Sequence, residues 1–257
     1  MSRVIVALSG GKASAWCADW ALKTYPKDSV ILYFNDTKWE HSDLYRFLQD
    51  LSTYFTKEII YDVDGRTPED LFFEQGMLGS DRHPFCSSTL KGKRLQEFYQ
   101  PHDILVFGIA PHESHRAKRI TDVYASLSAR NNKPCYLRFP LITENVTDKQ
   151  IDQFLKDANI EQPLLYKLGF THNNCAGGCV RQGINSWKHL YKTLPEVYAE
   201  RERVEKQFSK EVGKKCTFHS SMSLEDLRIQ IENESLQLDL FSYDPSTECV
   251  GICSTVF

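Results

Sequence analysis

No stretch of this chain is apolar for long enough to cross a bilayer, and its first residues form a short β-branched run rather than a signal peptide. Those absences exclude a membrane-spanning helix and make the cytoplasm the expected location. Neither sign of charge is in excess. Thirty-one Lys and Arg stand against 34 Asp and Glu, a net charge of −3, so no global field draws the chain to nucleic acid. Local basic clusters remain. Internal repeats and low-complexity tracts are also missing, which excludes a solenoid. Cysteine, in contrast, is plentiful. Eight cysteines in a reducing compartment read as thiols, metal ligands or redox groups rather than as a disulfide framework. At 257 residues the chain is long enough for a full core in one or two domains.

Residues 4–15 organise what is there. Val4-Ile5-Val6-Ala7-Leu8 reads as a strand, Ser9-Gly10-Gly11 as a tight turn, and the pattern from Lys12 as a helix to about residue 25. A strand that turns on glycines into a helix aims backbone N–H groups and the positive helix end at one point, which suits a phosphate. Ser9, Lys12 and Ser14 add side-chain donors. Further strands are expected at 29–34, 58–61, 103–108 and 135–139, and helices around 44–51, from Thr67-Pro68, and at 88–99 and 116–130. Strands alternating with helices predict an α/β fold, a parallel sheet with helices on both faces. Ligands of such sheets bind beyond the carboxyl ends of the strands. That edge carries Ser9-Gly10-Gly11, Asn35-Asp36 and Gly108.

After Thr147 the pattern becomes helical, with helices at 148–159, from Pro195 to about 210 and at 224–236. The charged flank of the helix after Pro195 reads as a solvated face. Residues 1–183 are assigned to a nucleotide-binding region. Residues 184–257 form a small helical extension ending in a cysteine-containing tail.

The chain resembles the PAPS reductase family of the PP-loop superfamily, the adenine nucleotide α-hydrolases. Ser9-Gly10-Gly11-Lys12-Ala13-Ser14 resembles the PP-loop, SGGxDS, and Asp36-Thr37 with Glu40 resembles DTG-x-E. Phe85-Cys86 with Leu90-Lys91, then Gly108-Ile109 with Glu113-Ser114 and Arg116-Ala117, follow in the family's order. So do Pro140-Leu141 with Thr147-Asp148, and Pro163-Leu164-Leu165-Tyr166 with Gly169-Phe170 and Cys175. The resemblance covers about residues 3–183. It implies a Rossmann-like domain binding ATP or an adenylyl sulfate, with magnesium as an optional companion. The phosphates or sulfate would lie on the PP-loop, the nucleotide near Asn35 and Asp36, and Lys91 and Arg116 would face the anions. Three features depart from the family. Ala13 stands where many members carry an aspartate. The tail Glu248-Cys249-Val250-Gly251-Ile252-Cys253 only approximates the ECG-hydrophobic-His motif of the dedicated reductases. Cys86 is single, and Cys175-x-x-x-Cys179 is wider than Cys-x-x-Cys.

Cys86, Cys175 and Cys179 fall where family members place cluster ligands. Thiolates suit a 4Fe–4S cluster or zinc, and Cys253 is the candidate fourth ligand. Cys17 and Cys135 read as core thiols, Cys216 has no visible partner, and His172 reads as a hydrogen-bonding residue. The leading expectation is a nucleotide-dependent sulfur-transfer enzyme. It would adenylate an acceptor, with Lys91, Lys93, Arg94, Arg116, Lys118 and Arg119 able to present a tRNA or DNA backbone, and would draw on a sulfur donor. The alternatives are a thiol-dependent PAPS or APS reductase, using Cys249 or Cys253 and a thiol reductant, and a nucleotide-binding module without turnover.

Overall fold

The computed structural model describes residues 2–80 and 82–235. Cys249 and Cys253, with the tail motif, lie outside the described residues. Five parallel strands form one sheet: β1 (Val4–Leu8), β2 (Val30–Asp36), β3 (Ile59–Val63), β4 (Ile104–Phe107) and β5 (Tyr136–Arg138). Their spatial order is β3-β2-β1-β4-β5. The chain therefore reverses its direction of travel across the sheet between β1 and β4, and the crevice at such a reversal is where ligands bind.

The period-2 alternation of β1 explains the layering. Val4, Val6 and Leu8 point to one face, where α1 (Lys12–Thr24), α2 (Ser42–Phe55), α7 (Pro140–Thr143) and α8 (Asp148–Asp157) contribute to a buried apolar cluster. Ile5 and Ala7 point to the other face and meet Leu95 of α5 (Arg94–Phe98) and Ala117, Ile120 and Tyr124 of α6 (Ser114–Asn131). The expected α/β class holds, with a Rossmann-like parallel sheet. Ala13 packs against the first cluster.

A third cluster lies beyond the sheet. It joins Phe72 of α3 (Pro68–Gln75) and Leu165 of α9 (Leu164–Lys167) to Trp187, Tyr198, Phe208 and Leu227 of α10 (Ile184–Thr193), α11 (Pro195–Glu211) and α12 (Leu224–Ser235). Among the described residues no helix is long and apolar enough to cross a membrane.

Three local expectations need correction. The helix expected at 88–99 starts earlier and is interrupted: α4 (Phe85–Ser87) runs through a π-helical turn at Ser88–Lys93 into α5. π turns of this kind often sit at functional sites. Cys135 is half-buried rather than a core thiol, because β5 is an edge strand whose Tyr136 is 51% exposed. The charged flank of α11 is not wholly solvated, since Arg201, Glu202 and Glu205 are buried. Cys17 is a core thiol as expected, and Cys216 packs at the edge of the third cluster.

Candidate functional site

The turn after β1 is built by its own residues. Gly10 has φ +75, and a Cβ there would stand 2.5 Å from Leu44 Cδ1, so only glycine fits. Ser14, 2% exposed, holds the turn together. Its hydroxyl accepts from the Ser9 N–H at 3.0 Å and donates to the Gly11 carbonyl at 2.8 Å. The Ser9 and Ser14 hydroxyls lie 3.1 Å apart. Gly108, at the end of β4, touches the first turn of α1. A Cβ on it would come within 2.9 Å of Ser14 N. Lys12 extends over the ring of Tyr166 (Nζ 5.3 Å from the centroid) to Asp152 at 2.7 Å. The Tyr166 hydroxyl stands over Gly11, 2.8 Å from where a Cβ would be.

The end of β2 supplies a second polar group. Asp36 is buried and accepts from Lys38 N–H at 2.8 Å, Lys38 Nζ at 2.8 Å and the Tyr45 hydroxyl at 2.9 Å. Asn35 donates to Asp62 at 3.0 Å, which is also held by Arg94. Arg94 is thus committed to the edge of the sheet rather than presented as a lone surface cation.

Glu40 ties the remaining parts together. Its fully buried carboxylate accepts from Thr37 Oγ1 at 3.0 Å, Lys91 Nζ at 3.2 Å and the Cys175 N–H at 2.6 Å. Burial pushes the Glu40 carboxyl up, and the Lys91 ammonium acts against that. Lys91 is itself buried. Arg116 is 2% exposed and pairs with Glu113 one turn before it.

Residues Asn173 to Cys179 form a loop that reaches back to the turn after β1: Asn173 Nδ2 donates to the Gly10 carbonyl at 2.9 Å. The loop backbone is left-handed at three successive residues, Cys175 (φ 52), Ala176 (φ 54) and Gly177 (φ 81). For the two that are not glycine this costs of order 1–3 kcal/mol each. Arg201 of α11 helps hold it there. Its guanidinium stacks 3.6 Å from the centre of the Trp39 ring and donates to the Gly178 carbonyl at 3.3 Å and the Cys175 carbonyl at 3.2 Å. His172 accepts from the Asn174 N–H at 3.4 Å, in keeping with its expected hydrogen-bonding part.

The fold brings together two of the expected ligand cysteines. Cys175 and Cys179 pack against one another, both buried. Cys86 lies near enough for the charge of Cys175 to act on it. Burial, with that neighbour, pushes the Cys86 thiol up to about 12. Among the described residues no three His, Cys, Asp or Glu side chains converge as a metal-binding group. The described donors therefore do not by themselves complete a metal centre. Asn174 Oδ1 and both amide atoms of Gln182, all buried, have no hydrogen-bond partner, so water or a ligand must satisfy them.

Arg201, Trp39 and Gln182 escape a reading by motif. Arg201 had a visible signal. Tyr198, Arg201, Glu205 and Phe208 recur at spacings of three and four, an apolar helical stripe with two charges set into it.

Residues 3–180 match the phosphoadenosine phosphosulfate reductase domain, more than two-thirds of the chain. The chain belongs to the PAPS reductase family. Among solved structures it is similar to phosphoadenylyl-sulfate (PAPS) reductase from Candida auris in its phosphate complex. That match has 14% identity, a TM-score of 0.46, and covers 68% of this chain and 81% of that one. No curated protein sequence matches the chain. The PAPS reductase match ends at residue 180, so Arg201 and the rest of α10–α12 lie beyond it.

Proposed function

We propose that the chain binds an adenine nucleotide at the carboxyl edge of its sheet and handles sulfur with the thiols of Cys175 and Cys179. One observation carries this reading. The loop bearing both cysteines is hydrogen-bonded through Asn173 to the Gly10 carbonyl of the turn that would hold the nucleotide's anionic groups. Family membership supports a sulfur-related reaction. Ser9, Gly10, Gly11, Lys12 and Ser14 would receive the phosphate or sulfate, Gly108 keeps that turn against β4, and Asn35 and Asp36 line the neighbouring strand end.

Two reactions fit this arrangement. In sulfur transfer, ATP adenylates an acceptor oxygen with loss of pyrophosphate, and a sulfur nucleophile then displaces AMP. In reduction, a thiolate attacks the sulfur of an adenylyl sulfate and the S–O bond breaks, releasing the adenosine phosphate. A second thiol then attacks the thiosulfonate sulfur attached to the enzyme, which forms a disulfide and releases sulfite. An external dithiol restores the pair. The contact between Cys175 and Cys179 suits the second step. We favour sulfur transfer, because Ser9-Gly10-Gly11-Lys12-Ala13-Ser14 resembles the PP-loop of ATP-using members of the superfamily, Ala13 apart.

The experiment assays purified protein with ATP and a sulfide donor, and with each adenylyl sulfate and a dithiol. AMP and pyrophosphate from ATP support the first reaction, and sulfite supports the second. Neither product, with nucleotide still bound, makes the chain a binding module. Cys175→Ser and Cys179→Ser should each abolish the product observed. Cys86, Cys175 and Cys179 are the candidate ligands of a soft metal or a 4Fe–4S cluster on family resemblance alone, with a fourth ligand such as Cys253, since no three described donors converge. When bound, it would supply a site for carrying sulfide. Iron, zinc and sulfide counts on anaerobically purified protein test that reading, and the absence of all three overturns it.

A further inference from the structure

Arg201 is 4% exposed, yet among the described residues no carboxylate is ion-paired with it. The acidic residues around it in α11 are committed elsewhere: Glu200 to Arg203, Glu202 to Lys206 and Arg228, and Glu205 to two backbone N–H groups. Glu40, on the far side of the cysteine loop, is paired with Lys91. A buried charge without a counter-charge is costly. Stacking on Trp39 and two carbonyl acceptors offset part of that cost. Both carbonyls belong to the loop that carries the cysteines. Cys175 is thereby gripped from two sides: its N–H donates to Glu40 at 2.6 Å and its carbonyl accepts from Arg201 at 3.2 Å. Gly178 leaves room for the guanidinium, since a Cβ there would stand 2.9 Å from Arg201 Nε. Cys179 packs against Cys175. Gln182, whose N–H donates to the Cys179 carbonyl at 3.1 Å, adds a buried side-chain amide without a partner. The segment bearing both thiols thus combines an unmatched cation with an unmatched polar group, and both penalties fall if a negative group with polar atoms of its own is carried there.

We propose that Arg201 is a positioning residue whose guanidinium balances an anionic sulfur group carried on Cys175 or Cys179, while its hydrogen bonds fix the loop that presents that group. The proposal rests on the reading that these two thiols handle sulfur. It adds which residue meets the negative charge of the sulfur group. The matched family segment ends at residue 180, so this charge comes from the helical extension.

Iodoacetate, an anion, and iodoacetamide, its neutral counterpart, test it on the full chain after a chelator has removed any bound metal. Both alkylate the same sulfur with loss of iodide. The ratio of their rates therefore cancels the nucleophilicity of the thiol and reports the charge around it. Rates are read at Cys175 and Cys179 by peptide mass mapping. In folded wild type the ratio of iodoacetate to iodoacetamide should exceed that of the same cysteines in the urea-unfolded chain by about fivefold, the effect of one unit charge a few ångströms away in well-hydrated surroundings. Arg201→Gln keeps a donor for the loop carbonyls without the charge, and its ratio should lie within about twofold of the unfolded value. Arg201→Lys keeps the charge without the planar fork and should retain most of the gain. Equal loss in the two variants makes Arg201 a structural support alone and overturns the charge role. A gain that survives Arg201→Gln assigns the charge to another cation and overturns it too, as does a wild-type ratio no higher than the unfolded one. If the glutamine variant has no cooperative melting transition, a wild-type gain kept by Arg201→Lys supports the role and a gain lost in it overturns it. If neither reagent labels Cys175 or Cys179 in the folded chain, the reading that these thiols handle sulfur fails, and the role of Arg201 falls with it.

Discussion

Gly108 shows how a single hydrogen atom in place of a methyl group sets the position of the turn after β1. Its α-carbon faces backbone, not a side chain that can swing aside: Ser14 N at 2.9 Å, Ser14 Cα at 3.0 Å and Ala13 C at 3.1 Å from a Cβ built there. Gly108→Ala therefore has to push α1 away from β4. Overpacking of this kind costs about 1–3 kcal/mol. The first turn of α1 is also where Ser14 ties Ser9 to Gly11. The substitution is expected to lower the unfolding free energy measured in urea by that amount and to weaken adenine nucleotide binding more than it weakens the fold. Equal nucleotide affinity in the two proteins would show that the turn does not depend on its contact with β4. The position could be read from sequence, because a glycine that ends a buried strand marks either a turn or a close approach. Which atoms approach could not, since Ser14 lies 94 positions earlier in the chain.

Among the elements, α11 separates what sequence discloses from what it hides. Regular elements were legible where one period ran unbroken: the continuous apolar run that became β2, the apolar face of α2, and the Thr67-Pro68 start of α3 with its capping box. For α11 the charge content suggested solvent on one flank, yet tertiary partners bury part of it. The Glu205 carboxylate accepts from the Phe218 N–H and the Leu224 N–H, each at 2.7 Å, and so fastens the connection into α12. Those partners are 13 and 19 residues away, and helical periodicity has no means of naming them. Burial nevertheless pushes this carboxyl up to about 7. The sign follows directly. Unfolded glutamate titrates near 4.3, so between that value and about 7 the folded chain holds a proton that the unfolded chain releases. Glu205's contribution is most favourable below the unfolded value and is lost as pH rises through the folded one, by about 4 kcal/mol at most. Glu205→Gln removes the titration while keeping one acceptor. Between pH 5 and pH 8 the wild-type unfolding free energy should fall relative to that of the variant, and parallel pH profiles in chemical denaturation would contradict the assignment. The same burial of Arg201, one turn earlier in α11, turns an apparently solvated helix into the support of the cysteine loop.

For the molecule as a whole, the sheet and the C-terminal helices are joined by a core that neither could close alone. Before residue 184 the third cluster contains Trp39, Phe72, Leu78, Leu165, Phe170 and Val180; after it come Trp187, Leu190, Tyr198, Phe208, Phe218 and Leu227. Trp187 stacks on Phe218 with ring centres 6.0 Å apart, and Phe218 in turn meets Phe72 at 5.9 Å. Arg201 and the ion pair between Arg203 and Glu69, 2.9 Å long, cross the same boundary. The expected division near residue 184 rests in sequence on the change from alternating strands to helices. That the two sides share a core could not be read there, because packing between distant segments leaves no periodic mark. Residues 2–183 alone would expose six large or medium apolar side chains whose burial is worth about 1.5–3 kcal/mol each, an upper bound comparable with the 5–15 kcal/mol stability of a typical domain. It would also free the cysteine loop from Arg201, removing the hydrogen bonds to the Cys175 and Gly178 carbonyls that help hold the left-handed backbone. A chain truncated after Gly183 should therefore bind a hydrophobic dye, lose its cooperative thermal transition and react faster with a thiol reagent at Cys175 and Cys179 than the full chain does. A sharp transition within a few degrees of the full chain's, with unchanged thiol reactivity, would mean that the sheet region folds and sets its cysteines unaided. The position of Arg201 would then be a consequence of the loop's shape rather than its support.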